Sequence, residues 1–365
     1  HASPSTAVPA NVFEMSYVLA NLHVKEVMSS PPITVSEEAP LEEAAKVIAD
    51  QGIQVTALHF RTGFSYPRRD RETGELLASD AERVAAMLGV PLEIIEVPED
   101  YIPVVLHPRF GYGSGMNPCV DCRIFLLRQA KVWMEAHDHH FVFTGEVVGQ
   151  RPKSQMKPSL RTVERESGLE GYLLRPLSAK LLKPTIPEER EWVDREKLYG
   201  ISGRGRKDQI ALAEAFGITE YAQPSGGCCY LIHQTYSRRL RDFLDHEGED
   251  ALSTNQVQLL AVGRHLRPDS GRKVVVGRHE RENEYLEGCG VAGVLLATPD
   301  HPGPVTLIPG EPIREEIEQA AQITAGYSDG QDEPAVRVEV RRAGKPVETI
   351  TVTPLPKEHA QTMMV

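Results

Sequence analysis

Between Ile53 and Thr144 short β-rich runs alternate with helical segments, and this alternation limits the possible folds more than any other feature of the chain. Ile53-Gln-Val-Thr-Ala-Leu-His-Phe60 has the length and apolar content of a buried parallel strand, and Ser79 to Leu88 reads as a helix ending at Gly89. Leu92 to Val97 reads as a strand, Arg123 to Ala136 as a helix and Phe141 to Thr144 as another strand. This order predicts an α/β fold with a doubly wound, Rossmann-like parallel sheet, followed by a smaller α+β domain. Ligands of such sheets sit beyond the carboxyl ends of the strands. That rule makes nucleotide-binding candidates of His59 and Phe60, of Thr144, Gly145, Glu146, Gln150 and Arg151, and of Arg175 after Leu173-Leu174. Glu146 can hold Mg²⁺ and the arginines can pair with phosphate. On a plainer reading Gly145 and Gly149 turn the chain, and Glu146 and Arg151 are solvated.

Thiols supply the second constraint. Gly115-Met-Asn-Pro-Cys119-Val-Asp121-Cys122 places two cysteines at a C-x-x-C spacing just before the helix from Arg123. Two intervening residues let both sulfurs face one centre, a metal or each other, and a helix start favours the thiolate. The plainer alternative is a pair of small core residues, but Asn117, Pro118 and Asp121 give the stretch the character of a turn. Pro224-Ser-Gly-Gly-Cys228-Cys229 adds a glycine-hinged loop, and Cys228 offers a third sulfur. Three thiolates are too few for a closed four-thiolate zinc site and suit a site with one open position.

The chain has 365 residues, 41% of them hydrophobic, and a formal net charge of -12, which suits two or three domains. No run is long and apolar enough for a membrane span, and none has the pattern of a signal peptide. Five cysteines, two of them in C-x-x-C, fit a reducing cytoplasm better than a disulfide framework. The acidic total argues against a general nucleic-acid binder but leaves room for a local basic groove. Ser202-Gly-Arg204-Gly-Arg206-Lys207, ahead of an amphipathic helix from Gln209 to Phe216, suits such contact with RNA phosphates; a solvated helix entry is the alternative.

His1 to Asn21 lacks periodicity and reads as a disordered lead-in, residues 1–22. Val24-Lys-Glu-Val-Met-Ser-Ser-Pro-Pro-Ile-Thr-Val35, a Ser36 cap and a helix from Leu41 to Asp50 resemble the opening half of a CBS domain, residues 23–52. Farther on, Met-Asn-Pro-Cys-Val-Asp-Cys, Thr-Gly-Glu-Val-Val-Gly-Gln-Arg-Pro, Leu-Leu-Arg-Pro-Leu-Ser-Ala-Lys, Ile-Ser-Gly-Arg-Gly-Arg-Lys-Asp-Gln and Pro-Ser-Gly-Gly-Cys follow in one order. Together they resemble the PP-loop ATP pyrophosphatase superfamily, in its tRNA 4-thiouridine synthase and tRNA 2-thiouridylase branch, over Ile53 to Leu231 within a domain spanning 53–235.

The resemblance implies a sheet of the adenine nucleotide alpha hydrolase type and a two-stage reaction with ATP and Mg²⁺. A tRNA uridine carbonyl is adenylated, and sulfur then displaces AMP. It implies tRNA and a sulfur donor, sulfide or a persulfide-carrying protein, as partners, and it is compatible with a homodimer. In the branch it points to, Cys119, Cys122 and Cys228 would hold a 4Fe-4S cluster, with Asp121 inside the motif. A persulfide on Cys119 or Cys122, resolved by Cys228, is the rival assignment. The chain departs from the superfamily in one respect: no Ser-Gly-Gly-x-Asp-Ser phosphate loop occurs in it, and the CBS-like segment stands at that place. A non-catalytic tRNA-binding or regulatory protein, and a dithiol redox protein, therefore remain as alternatives.

In residues 236–365, Val-Val-Val-Gly-Arg-His-Glu-Arg-Glu-Asn resembles an RNA-binding domain of the NFACT type. That resemblance makes Arg264, His265, Arg278 and Arg281 candidates for RNA phosphates, against the alternative of ordinary surface charges. Gln256 to Val262 reads as a strand, and the tail from Arg337 reads as a β-hairpin.

Overall fold

The computed structural model describes residues 15–20, 41–65, 78–218 and 229–365. The chain divides into two compact units, His1–Ile232 and His233–Val365.

The first unit is built on β1 (Met15–Ala20), β2 (Val55–Arg61), β3 (Leu92–Glu96), β4 (Phe141–Phe143) and β5 (Leu173–Leu174), in the order β3-β2-β1-β4-β5. Pairs β2–β3 and β4–β5 are parallel, but β1 runs antiparallel to both of its neighbours. The sheet is therefore mixed, which corrects the expectation of a doubly wound parallel sheet. The central strand also lies inside the stretch that reads as a disordered lead-in. Its place has a physical reason: the inner edges of β2 and β4 carry backbone donors and acceptors that need partners, and β1 pairs with both, Met15 to Ala20 against Phe60 to Val55 and Val18 to Ala20 against Phe143 to Phe141.

Helix α1 (Leu41–Ala49) buries Ala44, Ala45, Val47 and Ile48 in one cluster with Val55, Ala57, Phe141, Phe143 and Leu174. The CBS-like helix is thus part of the α/β core. Helix α2 (Asp80–Leu88) is fixed by local chemistry: Glu82 N donates to Ser79 Oγ at 3.2 Å, Ser79 N donates to the Glu82 carboxylate at 2.8 Å, and Gly89 closes the helix at φ 66°. The remaining helices are α3 (Pro98–Leu106), α4 (Cys119–Ala136), α5 (Lys157–Ser167), α6 (Ile186–Glu189) and α7 (Lys207–Ala215). Helix α4 starts four residues earlier than its periodicity suggests, which brings both cysteines into its first turn.

The second unit holds β6 (Arg264–Leu266), β7 (Val274–Val276), β8 (Gly293–Ala297), β9 (Thr306–Pro309), β10 (Val336–Arg342) and β11 (Glu348–Val352). These form one antiparallel sheet in the order β11-β10-β8-β9-β7-β6. Its helices are α8 (Gln234–Glu247), α9 (Thr254–Leu259), α10 (Glu280–Gly288), α11 (Arg314–Gly326) and α12 (Lys357–Thr362). Helix α11 buries Ile317, Ala320 and Ala321 against Leu266, Val274, Val276, Leu296 and Val338. Val275, which alternates with Val274 and Val276, packs with Leu259, Leu286 and Leu307 in a separate cluster. The C-terminal hairpin pairs Val338 with Ile350 as its alternation suggests. Gln256 to Val262 is not a strand: Ser253 caps α9 by accepting from Gln256 N at 3.4 Å, and the helix turns at Leu260. Among the described residues no helix is long and apolar enough to cross a membrane.

Candidate functional site

Helix α4 places Cys119 at its first position and Cys122 three residues on, so both lie on one face of its first turn. Cys119 is half-buried and Cys122 buried. The turn before them is held from several sides. Asn117 Nδ2 donates to Cys119 Sγ at 3.0 Å, its Oδ1 accepts from Gly115 N at 2.9 Å, and its carbonyl accepts from Gly113 N at 2.8 Å. A Cβ at Gly113 would fall 2.3 Å from Asn117 Nδ2, so a side chain there would push the Asn117 amide off its contacts. Asp121 faces the other way and accepts from the backbone N–H groups of Arg109 at 2.9 Å and Phe110 at 3.0 Å. It fixes the loop that leads into the cysteine turn.

A third cysteine joins the pair: Cys229, the neighbour of the Cys228 that the sequence singles out. Cys119, Cys122 and Cys229 line one small pocket together with Tyr101, Asn117, Arg123 and Arg151. Met116 N donates to Leu231 O at 2.9 Å, and Tyr230 N to Phe64 O at 2.8 Å, which ties the segment carrying Cys229 to the cysteine turn. Cys228 lies outside the described residues. The sequence reading chooses Cys228 for its place in the Gly-Gly-Cys motif and passes over its neighbour Cys229. Thiol sulfur beside guanidinium groups suits anionic sulfur. Among the described residues, however, no three cysteine, histidine or acidic side chains are gathered closely enough to hold one metal ion. The described donors alone therefore do not complete a metal or cluster site.

Behind the pocket runs a buried chain of charges. Glu146, after β4, is buried and meets Arg123 Nε of α4 at 3.2 Å and Arg175 Nε, after β5, at 2.9 Å; Thr144 Oγ1 donates to it at 3.1 Å. Arg175 is fully buried and also pairs with Glu164 of α5. Burial alone would push the Glu146 carboxyl up, but the charges of Arg123 and Arg175, with hydrogen bonds from Arg175 and Thr144, hold it below its ordinary value. Oε2 of Glu146 accepts from Arg175 and Thr144, while Oε1 faces Arg123 Nε at 3.2 Å as an ion pair, so a Mg²⁺ ion there would have to displace a charge partner. Arg123 lines the thiol pocket, whereas Arg175 lines a larger cavity of about 570 Å³ that also carries Lys157, Arg161, Arg165 and Lys183 together with Glu164, Glu170 and Glu188. Glu146 thus joins the walls of two cavities.

The other sequence candidates are distributed as follows. Gly145 is buried, and His59 and Phe60 are buried in β2. Gln150 Nε2 donates to Gln209 Oε1 at 3.3 Å, and Gly203 N donates to Val148 O at 2.8 Å, so the loop after β4 meets the basic turn before α7. In that turn Arg204 and Lys207 are exposed and Arg206 is half-buried. In the second unit Arg264 stacks on Tyr327 at 4.9 Å, and Arg278 is held by Glu282 at 2.9 Å. Sequence reading passed over Cys229, Asn117, Arg123 and Glu164, because their roles depend on which elements become neighbours.

The Asn117 contact gives a direct expectation. Asn117→Ala removes a donor to the Cys119 sulfur and is expected to slow iodoacetamide alkylation of Cys119 at neutral pH by roughly three- to tenfold. Peptide mapping of timed samples reads this out, and an unchanged rate would mean that the contact does not tune the thiol.

Comparison with known proteins divides the chain. A CBS domain family model matches residues 24–58, and the model described as NFACT protein RNA binding domain matches residues 263–364. The CBS match extends beyond Gly52 into β2. The tRNA-specific 2-thiouridylase MnmA of Syntrophotalea carbinolica is 35% identical over 96 residues, which cover 24% of this chain and 27% of that protein. The chain thus spans about a quarter of the length of this curated relative. The C-terminal structure of the fibronectin/fibrinogen-binding protein from Streptococcus suis covers 44% of this chain and 77% of its own, at 17% identity and a TM-score of 0.26.

Proposed function

We propose that this chain is a tRNA-modifying protein of the sulfurtransferase kind, with Cys119 and Cys122 handling the sulfur. The observation that carries this reading is the gathering of Cys119, Cys122 and Cys229 on one pocket, with Asn117 donating to one sulfur and Arg123 alongside. The partial identity to a tRNA-specific 2-thiouridylase and the NFACT RNA-binding match support tRNA as the partner. A uridine carbonyl resists direct attack by sulfur, so ATP first converts its oxygen into an AMP leaving group. Sulfur then bonds to the ring carbon as the C–O bond breaks. In the cavity beside Arg175, Lys157, Arg161, Arg165 and Lys183 suit the nucleotide's phosphates and the glutamates of the same lining suit the Mg²⁺ that travels on them, and the exposed Arg204 and Lys207 suit the RNA backbone.

The sulfur source is sulfide or a persulfide-carrying protein. A 4Fe-4S cluster on Cys119 and Cys122 needs a third thiolate beyond the described donors, and Cys228 is the candidate; bound there, it would supply an open iron for sulfide. Iron and labile sulfide content after anaerobic purification, compared between Cys228→Ser and Cys229→Ser, identifies that ligand or leaves the persulfide route. The CBS match at residues 24–58, where the resemblance places a phosphate loop, favours a second reading in which the protein binds tRNA without consuming ATP.

The deciding assay supplies tRNA, ATP, Mg²⁺ and sulfide and measures thiouridine by mass spectrometry of digested tRNA. Cys119→Ser and Cys122→Ser are each expected to lower product by about 100-fold or more, and Cys289→Ser to leave it unchanged. Thiolation that survives both substitutions would refute the role of the pair. tRNA binding without any product would select the second reading.

A further inference from the structure

The second unit encloses a cavity of about 160 Å³ that the thiolation chemistry does not use. The pairing of His265 with Val275 places both on one face of the β6–β7 ribbon, and Lys273, two residues before Val275, shares that face. Leu266, Val274 and Val276 point the other way, into the core under α11. Helices α8 and α9 supply Phe243 and Leu259, and Leu260 just after α9, as apolar walls, and Glu247, Gln256 and Arg272 line the cavity as well.

Two of its polar groups are incompletely used. His265 is fully buried, and its Nε2 faces the carbonyls of Val262 at 2.8 Å and Leu259 at 3.2 Å. That nitrogen therefore carries the hydrogen, and Nδ1 is an acceptor with no hydrogen-bond partner among the described residues. Burial, with Arg239 and Lys273 nearby, keeps the ring neutral by pulling its pKa well below the ordinary value. An orphaned acceptor at this depth is costly unless something fills its need. The Lys273 ammonium donates to Asp242 at 2.6 Å and to the Arg239 carbonyl at 3.4 Å, and a third N–H remains for a ligand.

An acceptor and a cationic donor on one face of an apolar slot complement a flat ring that carries an N–H beside a carbonyl. Uracil has this imide edge in a single ring. Guanine has a similar edge on a larger body, and cytosine and adenine place a ring nitrogen where the ammonium would prefer a carbonyl oxygen. The geometry points to this cavity as a pocket for one uracil base turned out of an RNA strand, with N3–H donated to His265 Nδ1 and a carbonyl accepting from Lys273. Choosing a nucleobase rests on the RNA reading above, whereas the need for an N–H beside a carbonyl does not.

The full chain should be titrated calorimetrically with UMP, 3-methyl-UMP, CMP, AMP, GMP and a uridine hexamer, and tRNA binding measured in parallel by filter retention. UMP is expected to bind, 3-methylation to weaken it roughly tenfold or more by removing the one N–H, and the hexamer to bind more tightly than UMP. His265→Leu is expected to abolish the preference for UMP over its methylated form. Because that variant can fail to fold, the ligand-side methyl comparison is the primary test. Equal binding of UMP and 3-methyl-UMP, GMP binding as tightly as UMP, or no UMP binding by about 10 mM would overturn the pocket. Retention of tRNA together with failure of UMP defeats the pocket and leaves the tRNA reading standing. UMP discrimination without tRNA retention does the reverse.

Discussion

Glu146→Gln is expected to lower the folding stability of the first unit by about 3–5 kcal/mol, a larger loss than any surface substitution there should produce. The carboxylate sits between Arg123 at 3.2 Å and Arg175 at 2.9 Å, all three buried. An amide keeps the shape but removes the charge, leaving two guanidinium groups in a dry environment with one fewer counter-ion. The pH dependence carries the same signature. The folded carboxyl lies below its ordinary value of 4.5, so its contribution is fully present above pH 4.5 and is lost as pH falls through the lower folded value. Urea midpoints should show an acid limb in the wild type that shrinks in Glu146→Gln. Similar midpoints for the two proteins at pH 7 would mean that the arginines find other partners and that the charge chain does not hold the walls of the two cavities.

The elements that local chemistry fixes were readable in the sequence. Ser79 with Glu82 at one end and Gly89 at the other define α2 without any tertiary contact, and the alternation of Val with charged residues from Arg337 defines the terminal hairpin. Met15–Ala20 was not readable as a central strand, because what holds it is the open edges of β2 and β4, more than thirty residues away in sequence. Its reversed direction is equally invisible, since strand propensity carries no sense of orientation. Helix α9 misled for another reason: its six residues are too few to show a helical period, and the Ser253 cap was the signal that mattered.

The site divides along the same line. The C-x-x-C pair was legible because spacing and helix start lie within one stretch, although Asn117, Pro118 and Asp121 delayed the apparent helix start by four residues. Glu146, Arg151 and Arg175 were visible one at a time as residues after strands. Their division of labour was not. Arg123 comes from α4, Glu146 from the end of β4 and Arg175 from the end of β5, and their pairing follows from the packing of those three elements. A carboxylate that sequence alone makes a candidate metal ligand becomes, once two arginines reach it, an internal counter-ion.

In the second unit the corresponding test is Asp242→Asn, for which a loss of about 3–5 kcal/mol is expected. Asp242 receives Arg267 Nε at 2.7 Å and Nη2 at 2.8 Å, and Lys273 Nζ at 2.6 Å. Burial alone would raise its pKa, but the hydrogen bonds from Arg267 and Lys273 and their charges bring it down to about 2 from 3.8. Its stabilisation, on the order of 2 kcal/mol, is therefore complete above pH 3.8 and lost between there and about pH 2. Lys273 behaves oppositely. Burial lowers it to about 8 from 10.5 even with Asp242 pulling it up, so the folded state sheds its proton first and stability rises as pH climbs from about 8 to 10.5. With Asp242 neutralised the ammonium loses its anion, and that alkaline rise should begin at lower pH while the acid limb disappears. The difference between wild-type and Asp242→Asn urea midpoints across pH 2.5 to 10 isolates both groups from the other titrating residues. A difference that stays constant with pH would show that neither the acid limb nor the alkaline rise belongs to this pair, and that the Lys273 ammonium is positioned by something other than Asp242.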